Sequence, residues 1–193
     1  MHTHTKSVTE CFMRKGQTHP STHLYQSFIT DAFLDLIQAK PLAEITITEL
    51  CEHAKISRRT FYRHFKDLHG VAEYYSNHLM ENLADTLSHY LSKTKTLNRK
   101  KVAQIFFRFL EPYAAIISCF HQNGLEDILF TAYIKNLSML PYKEPMPSAQ
   151  KTQSNQYFLA FLLGGLWSLL TVWIQNGLKK SPEELSEIAF GGK

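Results

Sequence analysis

The chain has 193 residues, of which 44% are hydrophobic and 20% charged, and its formal net charge is +4. This composition supports a folded core and excludes a disordered polar chain, whereas the modest positive charge permits a nucleic-acid partner without requiring one. The cysteines, Cys11, Cys51 and Cys119, are too few and too far apart for a disulfide framework, so we expect a reducing, cytoplasmic location.

Residues 1–20, MHTHTKSVTECFMRKGQTHP, carry no continuous apolar stretch of the kind found in signal peptides. We expect them to form a mobile N-terminal arm. No metal or cofactor site is expected in the chain, because no residues have the spacing of metal ligands and no phosphate-binding glycine loop occurs. No nucleophile is paired with a base in a recognisable arrangement, so we do not expect an enzyme.

Beyond the arm, apolar residues recur at helical spacing, and no strand-like alternation is found. The first helix is predicted over residues 21–38. Thr46, with Glu49 three residues later, predicts a capping box for a second, short helix. Ser57 then caps a third helix, so only two residues remain for the turn between helices two and three. Such a tight turn predicts a helix-turn-helix, whose second helix enters the major groove of DNA.

The third helix is predicted to present a basic face. Its segment, KISRRTFYRHFK, carries five basic residues and no acidic residue. Phe61 and Phe65 are expected in the core. Arg58, Arg59 and Tyr62 then lie on the opposite side, where arginine can bind guanine with two hydrogen bonds. The charge alone is equally compatible with a solvated basic helix in an unrelated bundle.

The order of residue types in ITITELCEHAKISRRTFYRHFKD strongly resembles the DNA-binding helix-turn-helix of the TetR family. In that family the recognition helix typically ends in a threonine-phenylalanine-tyrosine and then a histidine-phenylalanine series. The resemblance covers about residues 22–75 and implies a DNA-binding domain over residues 21–67, with double-stranded operator DNA as the partner. The side chains that it assigns to DNA are Thr48, Ser57, Arg58, Arg59, Thr60, Tyr62, His64 and Lys66.

Two positions depart from the family's pattern. Lys55 stands where the turn often carries glycine, so its backbone either avoids a left-handed angle or carries strain. Leu68 replaces a lysine that commonly begins the fourth helix and meets a phosphate, and Gly70 follows. We therefore expect one phosphate contact fewer and a loose start to the fourth helix. These departures leave open an alternative, a regulator of this fold that contacts a protein partner instead of DNA.

Residues 68–193 are predicted to be helical, which gives an all-α fold of about nine helices, and the TetR resemblance implies that they form an effector-binding and dimerisation domain. The further helices are predicted over residues 68–91, 102–110, 113–120, 125–140 and 156–176, with a last helix opened by Ser181, Pro182, Glu183 and Glu184. Residues 141–155 are predicted as a loop because prolines and polar residues dominate them.

The segment from Tyr157 to Ile174 is uncharged over 18 residues, close to the minimum for a membrane span. We interpret it as a helix buried on nearly all sides, because it is short and lies in an otherwise polar chain. A membrane-anchored protein is the alternative, and cell fractionation would separate the two.

The pattern FLLGGLWSLLTVWIQNGLKKSPEELSEI resembles the end of one TetR subgroup. In the family, the last two long helices form a four-helix dimer interface, and small effectors bind inside this domain. The resemblance therefore implies a homodimer, an unknown small-molecule effector and, as the usual output, repression. The interface residues that it suggests are Gly164, Gly165, Leu169 and Trp173. The pocket residues that it suggests are Phe106, Phe109, Tyr113, Cys119, Phe120, Phe130, Tyr133 and Trp167. For the two glycines, tight packing within one subunit stays open as an alternative.

Overall fold

The computed structural model describes residues 20–94, 98–140 and 153–191. The predicted arm before Pro20 and residues 141–152 of the predicted loop lie outside this range. Every regular element in the described residues is helical, which confirms the all-α fold.

The helices begin and end within three residues of their predicted positions. They are α1 (Pro20–Ala39), α2 (Ile47–His53), α3 (Arg58–His64), α4 (Leu68–Lys93), α5 (Arg99–Leu110), α6 (Ala114–Gln122), α7 (Glu126–Leu137), α8 (Gln153–Gln175) and α9 (Pro182–Phe190). Helix α5 begins earlier than predicted, because the Asn98 side chain accepts a hydrogen bond from the Lys101 backbone N–H at 2.9 Å and caps it. Ser181 caps α9 as predicted, and Glu184 completes a capping box with it.

The chain divides into two compact units. The first unit runs to Leu79 and also includes Ala115–Leu129, and the second comprises Met80–Ala114 and the residues from Phe130 onward. In the first unit, Phe33 of α1 packs edge-on against Phe120 of α6, with ring centroids 6.4 Å apart. The Asn123 side chain also accepts a hydrogen bond from the Leu42 backbone N–H at 2.6 Å. Helix α6 thus packs with the helix-turn-helix segment inside this unit.

Aromatic packing and ion pairs join α5 to the C-terminal helices in the second unit. Phe107 meets Trp173 edge-on with centroids 5.7 Å apart, and the Trp173 indole N–H donates to the Lys180 carbonyl at 2.8 Å. Arg108 of α5 pairs with Glu183 of α9. An aromatic contact therefore joins α5 to α8, and an ion pair joins α5 to α9.

Helix α8 does not have the burial expected from its composition. Tyr157 is 72% exposed, Phe161 78% and Val172 50%, so the interpretation of this segment as a helix buried on nearly all sides is wrong. The physical reason is that these residues recur at helical spacing on the side of α8 opposite to its buried leucines. By length and composition alone, Arg99–Gln122 and Tyr157–Gln175 could each cross a membrane, with mean hydropathy 1.3 and 1.9, but apolar core helices of soluble proteins share these properties.

The turn between α2 and α3 contains a strained residue. Lys55 has φ 55°, a left-handed angle that glycine adopts without strain, so of the two outcomes expected at this position the backbone carries strain. The Lys55 N–H bonds to the Glu52 carbonyl at 3.2 Å and the Ile56 N–H to the Cys51 carbonyl at 2.9 Å. This pair of bonds is a Schellman motif, which ends α2 and directs the chain into α3.

We expect Lys55→Gly to raise the free energy of unfolding by about 0.5–1 kcal/mol, because relief of left-handed strain exceeds the added entropy of the unfolded chain. Gly124 ends α6 with φ 70°, and an added Cβ there would meet nothing within 4 Å. Gly124→Ala, the matched control, should lower stability by a similar amount. Urea denaturation of both variants checks this, and a destabilised Lys55→Gly protein would contradict it.

Candidate functional site

Side-chain caps position the two helices of the helix-turn-helix. The Thr46 hydroxyl accepts a hydrogen bond from the Glu49 N–H at 3.2 Å, and the Ser57 hydroxyl accepts one from the Thr60 N–H at 3.1 Å. The Glu49 carboxylate bonds to the Lys40 ammonium at 2.6 Å, and this hydrogen bond holds the pKa of Glu49 below its ordinary value. The first half of the predicted capping box is therefore present, while the Glu49 side chain binds Lys40, just after α1, instead of completing the box.

Helix α3 has one buried and one exposed side. Phe61 is completely buried and Phe65 is 7% exposed, as the core prediction for both residues required. Arg58 and Arg59 are exposed in the first turn, and Tyr62 is 51% exposed one turn later. The helix therefore presents two guanidinium groups and a phenol together.

The other residues assigned to DNA surround this exposed side. Thr48 is exposed, and its hydroxyl accepts a hydrogen bond from Arg58 at 3.4 Å, which joins the start of α2 to the start of α3. Thr60 is half-buried and shares a 2.9 Å hydrogen bond with the Ser57 hydroxyl, and Lys66 is exposed after α3. In the residues that the structure describes, no carboxylate forms an ion pair with Arg58 or Lys66. The surface therefore keeps its positive charge.

Tyr25 of α1 supports the end of α3, and the sequence analysis did not identify it. Its ring stacks on the His64 ring with centroids 5.8 Å apart and an interplanar angle of 25°. The Arg63 guanidinium lies 5.7 Å from the centroid of the same ring. Burial, and then the nearby Arg63 charge, lower the pKa of His64, so its imidazole is neutral at pH 7. A tyrosine one or two turns into α1 gives no sequence signal of this contact.

The loose start expected for α4 is not found. The Asp67 carboxylate accepts a hydrogen bond from the Gly70 N–H at 2.9 Å and thereby caps the helix. The acidic residue just before Leu68 was the signal available in the sequence.

The residues suggested for an effector pocket lie in both units. Phe106, Phe130, Tyr133 and Trp167 form one aromatic cluster in the second unit, where Tyr133 and Trp167 have centroids 5.1 Å apart. Burial raises the pKa of Tyr133, and its hydroxyl donates to the Leu163 carbonyl at 3.0 Å. Phe109 and Tyr113 form a separate pair in the same unit. Cys119 and Phe120 belong to the first unit.

A cavity of about 40 Å³ lies in the second unit, and Phe106 is the one suggested pocket residue that lines it. The other walls come from the ends of α4, α5, α7 and α9 and from four leucines of α8. Arg99 is the one charged residue in the lining.

The residues suggested for a dimer interface differ in how exposed they are. An added Cβ at Gly164 or Gly165 would meet nothing within 4 Å, so tight packing against described residues of the same subunit does not explain these glycines. Leu169 is half-buried, and Trp173 is 3% exposed inside its own unit. Among the side chains that the structure describes, no group of three or more His, Cys, Asp or Glu residues could hold a metal ion.

The chain is similar to known proteins in sequence and in fold. Residues 29–69 match the family described as "Bacterial regulatory proteins, tetR family". Over 163 residues, 82% of this chain, the sequence is 20% identical to the uncharacterized HTH-type transcriptional regulator YxbF of Bacillus subtilis (strain 168), of whose length the match spans 42%. The fold is similar to the crystal structure of Lin0861 from Listeria innocua, with a TM-score of 0.64 and 18% identity over 91% of this chain and 92% of that chain.

We expect Tyr25→Ala to raise the pKa of His64 toward its ordinary value, because removal of the stacked ring admits water to the imidazole. Tyr25→Phe keeps the ring and should leave this pKa unchanged. NMR titration of the His64 ring protons, assigned with His64→Gln, measures the effect. If His64 titrates alike in wild type and Tyr25→Ala, Tyr25 does not shield it.

Proposed function

We propose that the protein is a cytoplasmic transcriptional regulator of the TetR type, which binds a pseudo-palindromic operator as a dimer through its N-terminal helix-turn-helix. Repression is the proposed output, and release by a small-molecule effector the proposed control. No membrane partner is proposed, because the apolar helix α8 buries its leucines inside a folded unit.

The exposed basic side of α3 carries the proposal. Arg58 and Arg59 lie in the first turn of α3, the second helix of the helix-turn-helix. From this position such helices reach base edges. Arginine binds guanine O6 and N7 with two hydrogen bonds, whereas Tyr62, Thr48 and Lys66 suit phosphate oxygens that position the helix. The neutral His64 imidazole can donate one hydrogen bond to a phosphate without adding charge.

The dimer is proposed through the exposed side of α8. Tyr157, Phe161 and Val172 leave large apolar surfaces open there, and Gly164 and Gly165 leave room for a second helix to approach closely. Exposed apolar patches rimmed by polar residues are typical of association surfaces. A two-fold axis through this face would pair each helix with its copy and present two α3 helices to the DNA.

We expect wild-type protein to bind DNA from upstream of its own gene with an affinity that falls steeply as salt increases. Arg58→Ala with Arg59→Ala should weaken binding by at least about tenfold, because two base or phosphate contacts are lost. Fluorescence anisotropy across a salt series measures both effects.

The matched control is Lys93→Ala with Lys135→Ala, which removes the same charge from exposed positions of the second unit. It should retain most of the affinity. If both double variants bind like wild type, α3 does not read DNA. The same conclusion follows if neither wild type nor either variant binds any fragment. Regulation through a protein partner then replaces the proposal.

We expect Gly165→Leu to fold normally but to be monomeric, because an added Cβ there meets nothing within 4 Å in its own subunit and the exposed leucine would separate two paired helices. Sedimentation velocity measures the oligomeric state. Met139→Asp, a change at a residue that is 76% exposed in the turn after α7, is the control and should remain dimeric. A Gly165→Leu protein that stays dimeric would exclude this face as the interface.

A further inference from the structure

Arg63 lies on the outer side of α3, and the TetR resemblance does not assign it to DNA. At about 100° per residue, it lies about 160° around the helix from the buried Phe61 and about 40° from Arg59. Its side chain is exposed, and within the described part of the chain no carboxylate forms an ion pair with it. Arg63 therefore extends the positive surface of α3 by one turn beyond Arg59.

Two neighbouring rings restrain the Arg63 side chain. Its guanidinium lies 5.7 Å from the centroid of the Tyr25 ring, which is within cation–π distance. Its Nη2 atom also lies 3.5 Å from Nε2 of His64, and because arginine only donates hydrogen bonds, Nε2 is the acceptor. The imidazole can accept because burial, and then the Arg63 charge, lower the pKa of His64 and keep the ring neutral at pH 7.

Neither contact neutralises Arg63. The Tyr25 ring and the neutral imidazole carry no formal charge, so the guanidinium keeps its positive charge and most of its N–H donors. A guanidinium binds phosphate through two parallel hydrogen bonds. Arg63 lies about 6 Å beyond Arg59 along the helix axis, past the first turn from which base edges are reached. A phosphate of the DNA backbone is therefore the group that it suits.

We propose that Arg63 binds a phosphate of the DNA backbone and that Tyr25 positions it for this contact. The inference rests on the proposed function, that α3 binds DNA, and adds a charged residue on α3 and a positioning residue on α1. A free arginine side chain has many rotamers, and fixing them on DNA costs entropy. Because the Tyr25 ring already restricts these rotamers, less entropy is lost when the phosphate is bound.

Fluorescence anisotropy of the full-length protein with DNA from upstream of its own gene, across a salt series, tests the Arg63 contact. Arg63→Gln should weaken binding by about tenfold. It should also make the slope of log affinity against log salt shallower by about 0.9 for each α3 bound, because one phosphate contact is lost. Arg63→Lys keeps the charge, so it should retain the wild-type slope but bind about threefold more weakly. Lys135→Gln, which removes the same charge from an exposed position of the second unit, should bind like wild type.

A double-mutant cycle tests the role of Tyr25. Tyr25→Ala should weaken binding about threefold to fivefold at an unchanged salt slope, since Arg63 keeps its charge but loses its support. Tyr25→Phe keeps the ring and should bind like wild type. In the Arg63→Gln background, Tyr25→Ala should change the affinity by less than about twofold. Circular dichroism checks the fold of each variant, and Tyr25→Leu, which fills the space without an aromatic ring, replaces Tyr25→Ala if that variant unfolds.

The outcomes separate this inference from the proposed function. Binding that depends on Arg58 and Arg59, but whose affinity and salt slope are unchanged in Arg63→Gln, retains the function and overturns the inference. An equal loss from Tyr25→Ala with and without Arg63 means that Tyr25 supports the helix or His64, and it overturns the positioning role. Wild-type protein that binds no DNA overturns the proposed function, and the inference fails with it.

Discussion

The complete burial of Phe61 fixes the rotation of α3 about its axis, and the surface proposed to bind DNA depends on it. With Phe61 and Phe65 in the core, helical geometry leaves Arg58, Arg59 and Tyr62 on the outer side. The Schellman turn at Lys55 sets the direction of the same helix, and Tyr25 supports its end. The short helix α3 is therefore held in place by its neighbours. When it binds DNA, the main conformational entropy still to be lost is that of the exposed arginine side chains.

In the second unit, buried residues likewise fix the rotation of α8 about its axis. Its leucines pack inward and line the cavity, while its open side combines exposed apolar residues with two glycines. One helix thus has a face that lines a cavity and an open face that we propose for a second copy of the chain.

The sequence predicted the helices and the basic face of α3 because both follow from local periodicity and capping residues such as Thr46 and Ser57. It could not predict contacts between residues far apart in the chain, such as Phe33 with Phe120. Composition also gave a wrong prediction for the burial of α8, because a run of eighteen uncharged, mostly apolar residues does not reveal which side of a helix is covered. The cavity depends on how five helices meet, and of the eight aromatic and cysteine positions suggested for it, Phe106 alone lines it.

The central claim is that the outer side of α3 contacts DNA, and NMR titration of the labelled protein with a DNA duplex tests it most directly. A duplex of arbitrary sequence suffices at low salt, because non-specific binding uses the same electrostatic surface. The account predicts that chemical-shift changes concentrate on Arg58, Arg59, Tyr62 and the start of α2. Changes confined to the second unit, or no changes at all under these conditions, would contradict it.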